Sequence, residues 1–216
     1  MVIVKVMKAI SEKNDEAAAA IRSMLAEKHI KSLNIISSPG SGKTALLEKT
    51  IKMLPSDIKC AVIVGDPFGT SDAERIEAAG GIAVQLNTEG SCHLTAPMIT
   101  AAMGDLKLDD INLLFIENIG NLICPAAWDL GETERVTLLS VAEGNDKVTK
   151  YRKAFYGADA VVLSKVDLAQ ISDFDIERAR ADIVSLNPHA RIIELSSKSG
   201  VGMEDWISWL QRLLAT

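Results

Sequence analysis

The chain has 216 residues, of which 48% are hydrophobic and 24% charged, a composition typical of a globular protein and not of a disordered one. Lys and Arg number 23 against 29 Asp and Glu, which gives a net charge of −6, and 4% of residues are aromatic. Nucleic-acid binding requires clustered positive charge and stacking rings, so we expect no nucleic-acid partner. No run approaches the roughly 18 apolar residues of a membrane span. Without a signal-peptide pattern at residues 1–10 or a disulfide framework among the three cysteines, the chain is predicted to be cytoplasmic, with no membrane partner.

Short apolar runs alternate along the chain with helical stretches. An amphipathic helix is predicted first, at residues 11–28, within an N-terminal helical extension that spans residues 1–30. The predicted strands are 33–37, 60–65, 82–86, 112–117, 136–141, 160–164 and 191–195, and the predicted helices between and after them are 43–53, 72–79, 94–103, 150–155, 175–185 and 203–214. This alternation predicts an α/β fold with a mostly parallel, twisted sheet of about seven strands and helices on both faces. We expect a single domain over residues 1–216.

The first predicted strand leads into SSPGSGKT, residues 37–44, a glycine-rich turn that opens a helix. Backbone N–H groups in such a turn surround phosphate oxygens, and the helix N-terminus adds positive charge. Lys43 would reach the β- and γ-phosphates, and Thr44 would place its hydroxyl on Mg²⁺. Ser37 replaces the glycine that usually opens this motif, and an ordinary Gly/Ser-rich turn is the alternative interpretation. The residues predicted to bind the phosphates are Ser38, Gly40, Ser41, Gly42, Lys43 and Thr44.

Acidic residues end two other predicted strands. Asp66 follows the second strand and Glu117 ends the fourth. Because the carboxyl ends of parallel strands meet at one edge of the sheet, we predict that Asp66, Glu117 and Thr44 hold Mg²⁺. Lys43 and Asp66 are the predicted catalytic residues, since phosphoryl transfer depends on positioning and charge neutralisation. Asp72 could face the same site, or it could be the N-cap of the next helix.

Two short segments near the end of the chain indicate which nucleobase the bound nucleotide carries. SKVD, residues 164–167, resembles the Asn-Lys-x-Asp element of GTPases, in which the aspartate accepts two hydrogen bonds from guanine. Lys165 and Asp167 are therefore predicted to bind the base. Ser197 and Lys198 follow the last strand, where GTPases place a backbone N–H near the guanine oxygen. Together these residues predict GTP and GDP as ligands, although Ser164 replaces the usual asparagine and weakens the inference to guanine over adenine.

Three residues on two turns have the chemistry of metal ligands. Cys92 and His93 follow the third predicted strand and Cys124 follows the fourth, so both turns are expected at the nucleotide edge. Thiolates and an imidazole suit Ni²⁺ or Zn²⁺. Three ligands leave a site incomplete, and a two-fold related copy could supply the rest. The alternative is that the cysteines are small, partly buried residues and that His93 caps a helix; Cys60 is interpreted as core.

Several blocks of the sequence resemble the HypB family, the GTPases of nickel incorporation into [NiFe]-hydrogenases. The blocks are EKNDE (12–16), NIISSPGSGKTALLE (34–48), DAERI (72–76), CHL (92–94), LFIENIGNLICPAAWDLGE (114–132) and EGNDKVTKY (143–151). The resemblance implies a Mg²⁺-dependent P-loop GTPase that hydrolyses GTP to GDP and phosphate while it delivers nickel to a hydrogenase large-subunit precursor. It also implies a nucleotide- and metal-dependent homodimer and cooperation with a HypA-type nickel chaperone. The resemblance further implies that Cys92, His93 and Cys124 would hold the metal and that Lys150, rather than Lys147, would reach the partner's nucleotide.

The chain departs from the family pattern at several positions. Gly69 takes the place of a threonine in the first switch and Thr70 follows it, while Glu89 stands where a glycine is usual. These departures favour, as an alternative, a nickel- or zinc-binding P-loop protein with relaxed nucleotide choice or weak hydrolysis. A urease-accessory-type GTPase is a further alternative, although its metal motif is typically Cys-Pro-His and Ala126 stands in the place of that histidine. A small-molecule kinase is disfavoured because the chain has no arginine cluster typical of a lid.

Overall fold

The computed structural model describes residues 3–67 and 69–215. The helices in this part of the chain are α1 (Ile3–Glu27), α2 (Lys43–Met53), α3 (Ser71–Ala78), α4 (Ala96–Met103), α5 (Lys147–Lys150), α6 (Arg152–Tyr156), α7 (Ile176–Leu186) and α8 (Met203–Leu214). The strands are β1 (Lys31–Ser37), β2 (Cys60–Asp66), β3 (Ile82–Asn87), β4 (Leu113–Gly120), β5 (Glu134–Ser140), β6 (Ala160–Ser164) and β7 (Arg191–Leu195). None of the described helices is both long and apolar enough to cross a lipid bilayer.

The strands form one parallel sheet in the order β3-β2-β4-β1-β5-β6-β7. β1 lies in the middle, between β4 and β5, so the loop that follows β1 emerges beside the loop that follows β4. In open parallel sheets this crevice, where the strand order changes direction, is where ligands bind. The predicted α/β fold with a parallel sheet of seven strands is confirmed.

Helices cover both faces of the sheet. On one face, Leu46 of α2 and Trp206 of α8 are completely buried against the strands. On the other, Ile21 of α1 packs with α4, and Phe155 of α6 packs with α7. Burying a Leu, Ile or Phe side chain contributes about 1.5–3 kcal/mol, so these two layers hold the sheet and its loops in place.

Two of the predicted helices differ substantially from the observed ones, whereas the bounds of the others agree within two residues. α1 begins at Ile3 and not at residue 11. The start of the chain is rich in β-branched residues, which favour strands, and for this reason sequence reasoning missed the first turns of the helix. A single helix over residues 150–155 is wrong: α5 and α6 meet at Tyr151, whose φ of −111° and ψ of 41° interrupt the helix. The organisation as a single domain with an N-terminal extension stays a prediction.

The turn after β3 contains a strained residue. Glu89 has φ of 49° and Gly90 has φ of 96°, which is the left-handed region in both cases. A residue with a Cβ pays an energetic cost there, so Glu89→Gly is expected to raise the free energy of unfolding by about 0.5–1 kcal/mol. Glu89→Ala, which removes the carboxylate but keeps the Cβ, is the control and is expected to bring no gain. Urea denaturation of both variants measures the difference, and equal stabilities of the two would contradict this explanation.

Candidate nucleotide and metal site

The glycine-rich loop between β1 and α2 wraps around the N-terminus of α2. Gly42, with φ of 98°, precedes the first residue of that helix, Lys43. Lys43 is 9% exposed, and its Nζ donates a hydrogen bond to Ser37 Oγ at 3.0 Å. Burial lowers the pKa of Lys43, and the charge of Glu117 opposes that shift. The helix start therefore holds a buried cation at the place where phosphate oxygens would bind.

Glu117, at the end of β4, contacts the first turn of α2. Its Oε1 accepts a hydrogen bond from Thr44 Oγ1 at 2.7 Å. Its Oε2 is buried and accepts no hydrogen bond from any part of the chain that the structure describes. Burial raises the pKa of Glu117 to about 7, against the opposing charge of Lys43. A hydroxyl beside a carboxylate oxygen without a partner is an oxygen donor set that suits Mg²⁺.

Four of the predicted phosphate and magnesium residues, Gly40, Lys43, Asp66 and Glu117, line one cavity of about 280 Å³ together with Asp72. Of the other predicted residues, Ser41 and Gly42 line a neighbouring cavity, Ser38 lines a third, and Thr44 contacts Glu117. Asp66 ends β2, and its Oδ1 accepts a hydrogen bond from the backbone N–H of Gly69. The interpretation of Asp72 as an N-cap is wrong, because Thr70 precedes the first residue of α3 and Asp72 lies inside its first turn. The hydroxyl of Thr70 bonds to Glu74 Oε1 at 3.0 Å.

The predicted base-binding residues line a second cavity, of about 250 Å³, on the other side of the phosphate loop. Lys165, with φ of 59°, extends its Nζ to the carbonyl of Gly40 at 2.7 Å. The hydroxyl of Ser164 donates to the carbonyl of Ser41 at 2.8 Å, so this segment is tied to the phosphate loop at two points. The residues of the wall are Ser41, Gly42, Ala45, Ser164, Lys165, Asp167, Leu168, Ser196, Ser197 and Lys198.

The three candidate metal ligands converge on one point. One ligand atom from each of Cys92, His93 and Cys124 lies within 4.8 Å of the others, and the Cys92 Sγ to His93 Nδ1 distance is 3.5 Å. Two thiolates at about 2.3 Å from one ion lie at most about 4.6 Å apart, so a small adjustment would let all three bind it. Cys92 is exposed, and His93 lies two residues before the N-cap of α4, so the alternative interpretations of these two residues are wrong. Cys124 is partly buried, as its alternative interpretation expected.

The two pKa shifts in this cluster act in opposite directions on metal binding, since the thiolate and the neutral imidazole are the forms that bind metals. A hydrogen bond with Cys124 raises the pKa of the Cys92 thiol, because two adjacent sulfurs without a cation resist ionisation. Burial lowers the pKa of His93, which keeps the imidazole in the neutral form that binds metals. Cys60 differs in that it is buried in the core and burial raises the pKa of its thiol to about 12.

Some functional contacts lie outside the predicted set. Trp128 stacks on His93 with ring centroids 4.9 Å apart, although sequence reasoning identified no ring beside the ligands. Glu143 Oε1 lies 2.6 Å from Ser41 Oγ and links the phosphate loop to the segment before α5. Lys150, in contrast, lines neither of the two cavities described above, and its Nζ pairs with Asp146 at 2.5 Å on the surface.

Comparisons with known proteins show the family of this chain. A model of the CobW/HypB/UreG nucleotide-binding domain matches residues 31–194. The hydrogenase maturation factor HypB of Escherichia coli K12 is 46% identical over 94% of this chain and 70% of its own length. The hydrogenase/urease maturation factor HypB of Helicobacter pylori is 40% identical over 96% of this chain and 86% of its own.

A solved structure is similar in three dimensions as well. The crystal structure of HypB from Helicobacter pylori in complex with nickel superposes with a TM-score of 0.90, at 39% identity, over 94% of this chain and 95% of the other. The family model covers most of the chain, and the two relatives are well above 30% identical. This chain therefore belongs to the HypB family of hydrogenase maturation factors.

Proposed function

We propose that this chain is a Mg²⁺-dependent GTPase that couples GTP binding and hydrolysis to nickel delivery during [NiFe]-hydrogenase maturation. The supporting observation is that the Cys92, His93 and Cys124 cluster lies on the loops after β3 and β4, at the same edge of the sheet as Lys43. A related HypB binds nickel. The direct test is turnover of GTP and of ATP, side by side, with and without Ni²⁺; equal turnover of the two nucleotides, or no response to Ni²⁺, would contradict the proposal.

The residues of the phosphate cavity provide the chemistry of hydrolysis. Lys43 would bind the β- and γ-phosphate oxygens, and the backbone N–H groups of the loop would surround them. Thr44, Glu117 and Asp66 would hold Mg²⁺, which neutralises phosphate charge when bound. Asp66 lines the same cavity and would also orient the attacking water. Catalysis here is positioning and charge stabilisation, without a covalent intermediate on the protein.

The proposed partners follow from the family and from the incomplete metal site. A second copy of the chain would complete the coordination of nickel, because this cluster supplies three ligands. Lys150 is exposed and could reach the nucleotide of that copy. A HypA-type nickel chaperone would supply the metal, and a hydrogenase large-subunit precursor would receive it. Zn²⁺ is a second candidate ion for the same ligands.

A second candidate function is maturation of urease. The relative from Helicobacter pylori is named a hydrogenase/urease maturation factor, so one protein of this family is associated with both nickel enzymes. The chemistry at the cysteine cluster would be the same in both cases, and only the recipient would differ. Nickel transfer to an apo-hydrogenase precursor and to apo-urease, measured in parallel with this protein, decides between them.

Base choice provides a separate prediction for the second cavity. Asp167 would accept hydrogen bonds from both guanine N–H donors, and an amide in its place would present a donor to a donor. Asp167→Asn is therefore expected to weaken GTP binding by about a hundredfold or more relative to ATP. Competition titration with the two nucleotides measures the ratio. Asp173→Asn, an exposed change in the same region, is the control; a GTP preference that survives Asp167→Asn would exclude guanine recognition by this residue.

Ser164 modifies this expectation. Its hydroxyl already binds the phosphate loop through the Ser41 carbonyl, and Ser164 is 4% exposed. Ser164→Asn is expected to sharpen the preference for GTP, since the amide adds a second polar group between the loop and the base. The same competition titration checks this, and a lower GTP to ATP ratio would show that the buried site has no room for the longer side chain.

A further inference from the structure

The end of β4 contacts two sites with neighbouring residues. Successive side chains of a strand point to opposite faces of the sheet. Glu117 points to the phosphate loop, where it accepts the hydrogen bond from Thr44. Asn118 points to the other face, where its Oδ1 accepts a hydrogen bond from the backbone N–H of Leu94 at 3.3 Å. Leu94 directly follows His93, so one strand end touches both the nucleotide site and the metal-binding turn.

The amide of Asn118 has all its partners inside the protein. Asn118 is 1% exposed, and its Oδ1 also accepts a hydrogen bond from Ile119 N–H at 2.9 Å. Its Nδ2 donates to Asn34 Oδ1 at 3.1 Å, and Asn34 donates in turn to Glu132 Oε1 at 3.2 Å. A buried amide that loses a partner leaves an unpaired polar group, so these contacts move together.

The backbone of β4 is irregular at this residue. Ile35 of β1 pairs with Glu117, but Ser37 pairs with Gly120, so two steps along β1 correspond to three along β4. The extra residue lies between Glu117 and Gly120, where Asn118 is located. Bulges of this kind re-aim side chains and occur next to active sites. A shift of Glu117 would therefore carry Asn118 with it.

We propose that Asn118 is a positioning residue that transmits a shift of Glu117, which depends on the bound nucleotide, to the turn that carries Cys92 and His93. The transmitting contact is the hydrogen bond from Leu94 N–H to Asn118 Oδ1. This inference rests on the proposed function, in which a triphosphate binds beside Glu117 and nickel binds the cysteine cluster.

A second asparagine holds the start of α4, which follows the metal-binding turn. Asn14 of α1 is 2% exposed; its Oδ1 accepts a hydrogen bond from Ala96 N–H at 2.9 Å, and its Nδ2 donates to the Asp129 carbonyl at 2.8 Å. Asp129 follows Trp128, the ring that stacks on His93. Asn14 makes no described hydrogen bond with the phosphate loop, so it anchors the start of α4, three residues after His93, without connecting it to the nucleotide.

The two asparagines make a matched pair for the test. Ni²⁺ dissociation constants would be measured with GDP and with a non-hydrolysable GTP analogue, by titration of the thiolate-to-nickel charge-transfer band. We expect the two constants of the parent to differ by about 5- to 150-fold and those of Asn118→Ala to agree within about twofold. Asn14→Ala is expected to bind Ni²⁺ more weakly with both nucleotides and to keep the parent's ratio. The proposal is overturned if the ratio of the two Ni²⁺ dissociation constants in Asn118→Ala equals that of the parent, or if Asn14→Ala brings this ratio as close to one as Asn118→Ala does.

Amide hydrogen exchange at Leu94 provides a measurement that needs no metal. In the parent, we expect the exchange rate of Leu94 N–H to differ between the GDP and the GTP-analogue complexes, and in Asn118→Ala we expect no such difference. If the parent binds no nickel at the cysteine cluster, the proposed function fails, whereas the exchange measurement still tests the contact. A Leu94 exchange rate in the parent that is the same with both nucleotides overturns the inference even if Asn118→Ala does not fold.

Discussion

Lys43→Ala is expected to lower kcat for GTP hydrolysis by about a hundredfold or more with the fold retained. Lys43 is the buried cation at the start of α2, where burial disfavours the charged form and lowers its pKa. Glu117 lies close enough to oppose that shift. Without the positive charge of Lys43, the negative charge on the transferring γ-phosphoryl group is less well stabilised in the transition state. Nucleotide binding through the backbone N–H groups of the loop persists.

The measurement is steady-state phosphate release, with circular dichroism and a thermal melt to verify folding. Lys52→Ala is the matched control, because Lys52 lies on the same helix α2 but is exposed at its end. We expect that control to keep the turnover of the parent. Turnover of Lys43→Ala within a few-fold of the parent, with an unchanged melt, would show that the phosphates bind elsewhere.

The sheet could be predicted from sequence because its strands have a clear pattern. β6 and β7 begin and end at the predicted residues, since each is a short run with β-branched residues at its centre, Val161 and Val162 in β6 and Ile192 and Ile193 in β7. The bounds of α2 and α8 were also predicted, because Gly42 and Gly202, both with positive φ, mark their starts. α1 and the pair α5 and α6 were predicted less well, since neither β-branched residues nor a break inside a short helix follows from periodicity.

The sequence was sufficient to predict which loops meet at the site, but not which side chains contact each other there. A parallel sheet brings the carboxyl ends of its strands together, so Asp66, Glu117 and Cys124 could be placed at one edge from the chain order alone. Contacts between side chains from distant segments could not be predicted this way. The stacking of Trp128 on His93 and the hydrogen bond from Leu94 N–H to Asn118 depend on how helices and loops pack, which a single sequence does not encode in any local pattern.

Cys92→Ala and Cys124→Ala are each expected to weaken Ni²⁺ binding by about a hundredfold or more. Changes beside metal ligands already cost about 10- to 100-fold, and these variants remove a ligand itself. The raised pKa of Cys92 implies that Ni²⁺ binding releases a proton from a thiol, so the affinity of the parent should rise with pH. Calorimetric titration measures both effects. Cys60→Ala is the control, because Cys60 is a buried thiol outside the cluster; equal losses in all three variants would mean that the effect is on folding.

The same variants test whether metal and nucleotide act together through dimerisation. Cys124 lies seven residues beyond Glu117 on one connection, and Gly120 between them packs so closely on Pro39 of the phosphate loop that an added Cβ would lie 2.9 Å from its Cα. A γ-phosphate that displaces this segment would therefore move Cys124. Coupling of this kind is reciprocal, and each ligand should tighten the other by the same factor, typically about 5- to 150-fold. Sedimentation is measured with Ni²⁺, once with GDP and once with a non-hydrolysable GTP analogue. The parent should form a dimer with the analogue, whereas both cysteine variants should stay monomeric. A parent that stays monomeric in every condition would exclude a metal site shared between two copies.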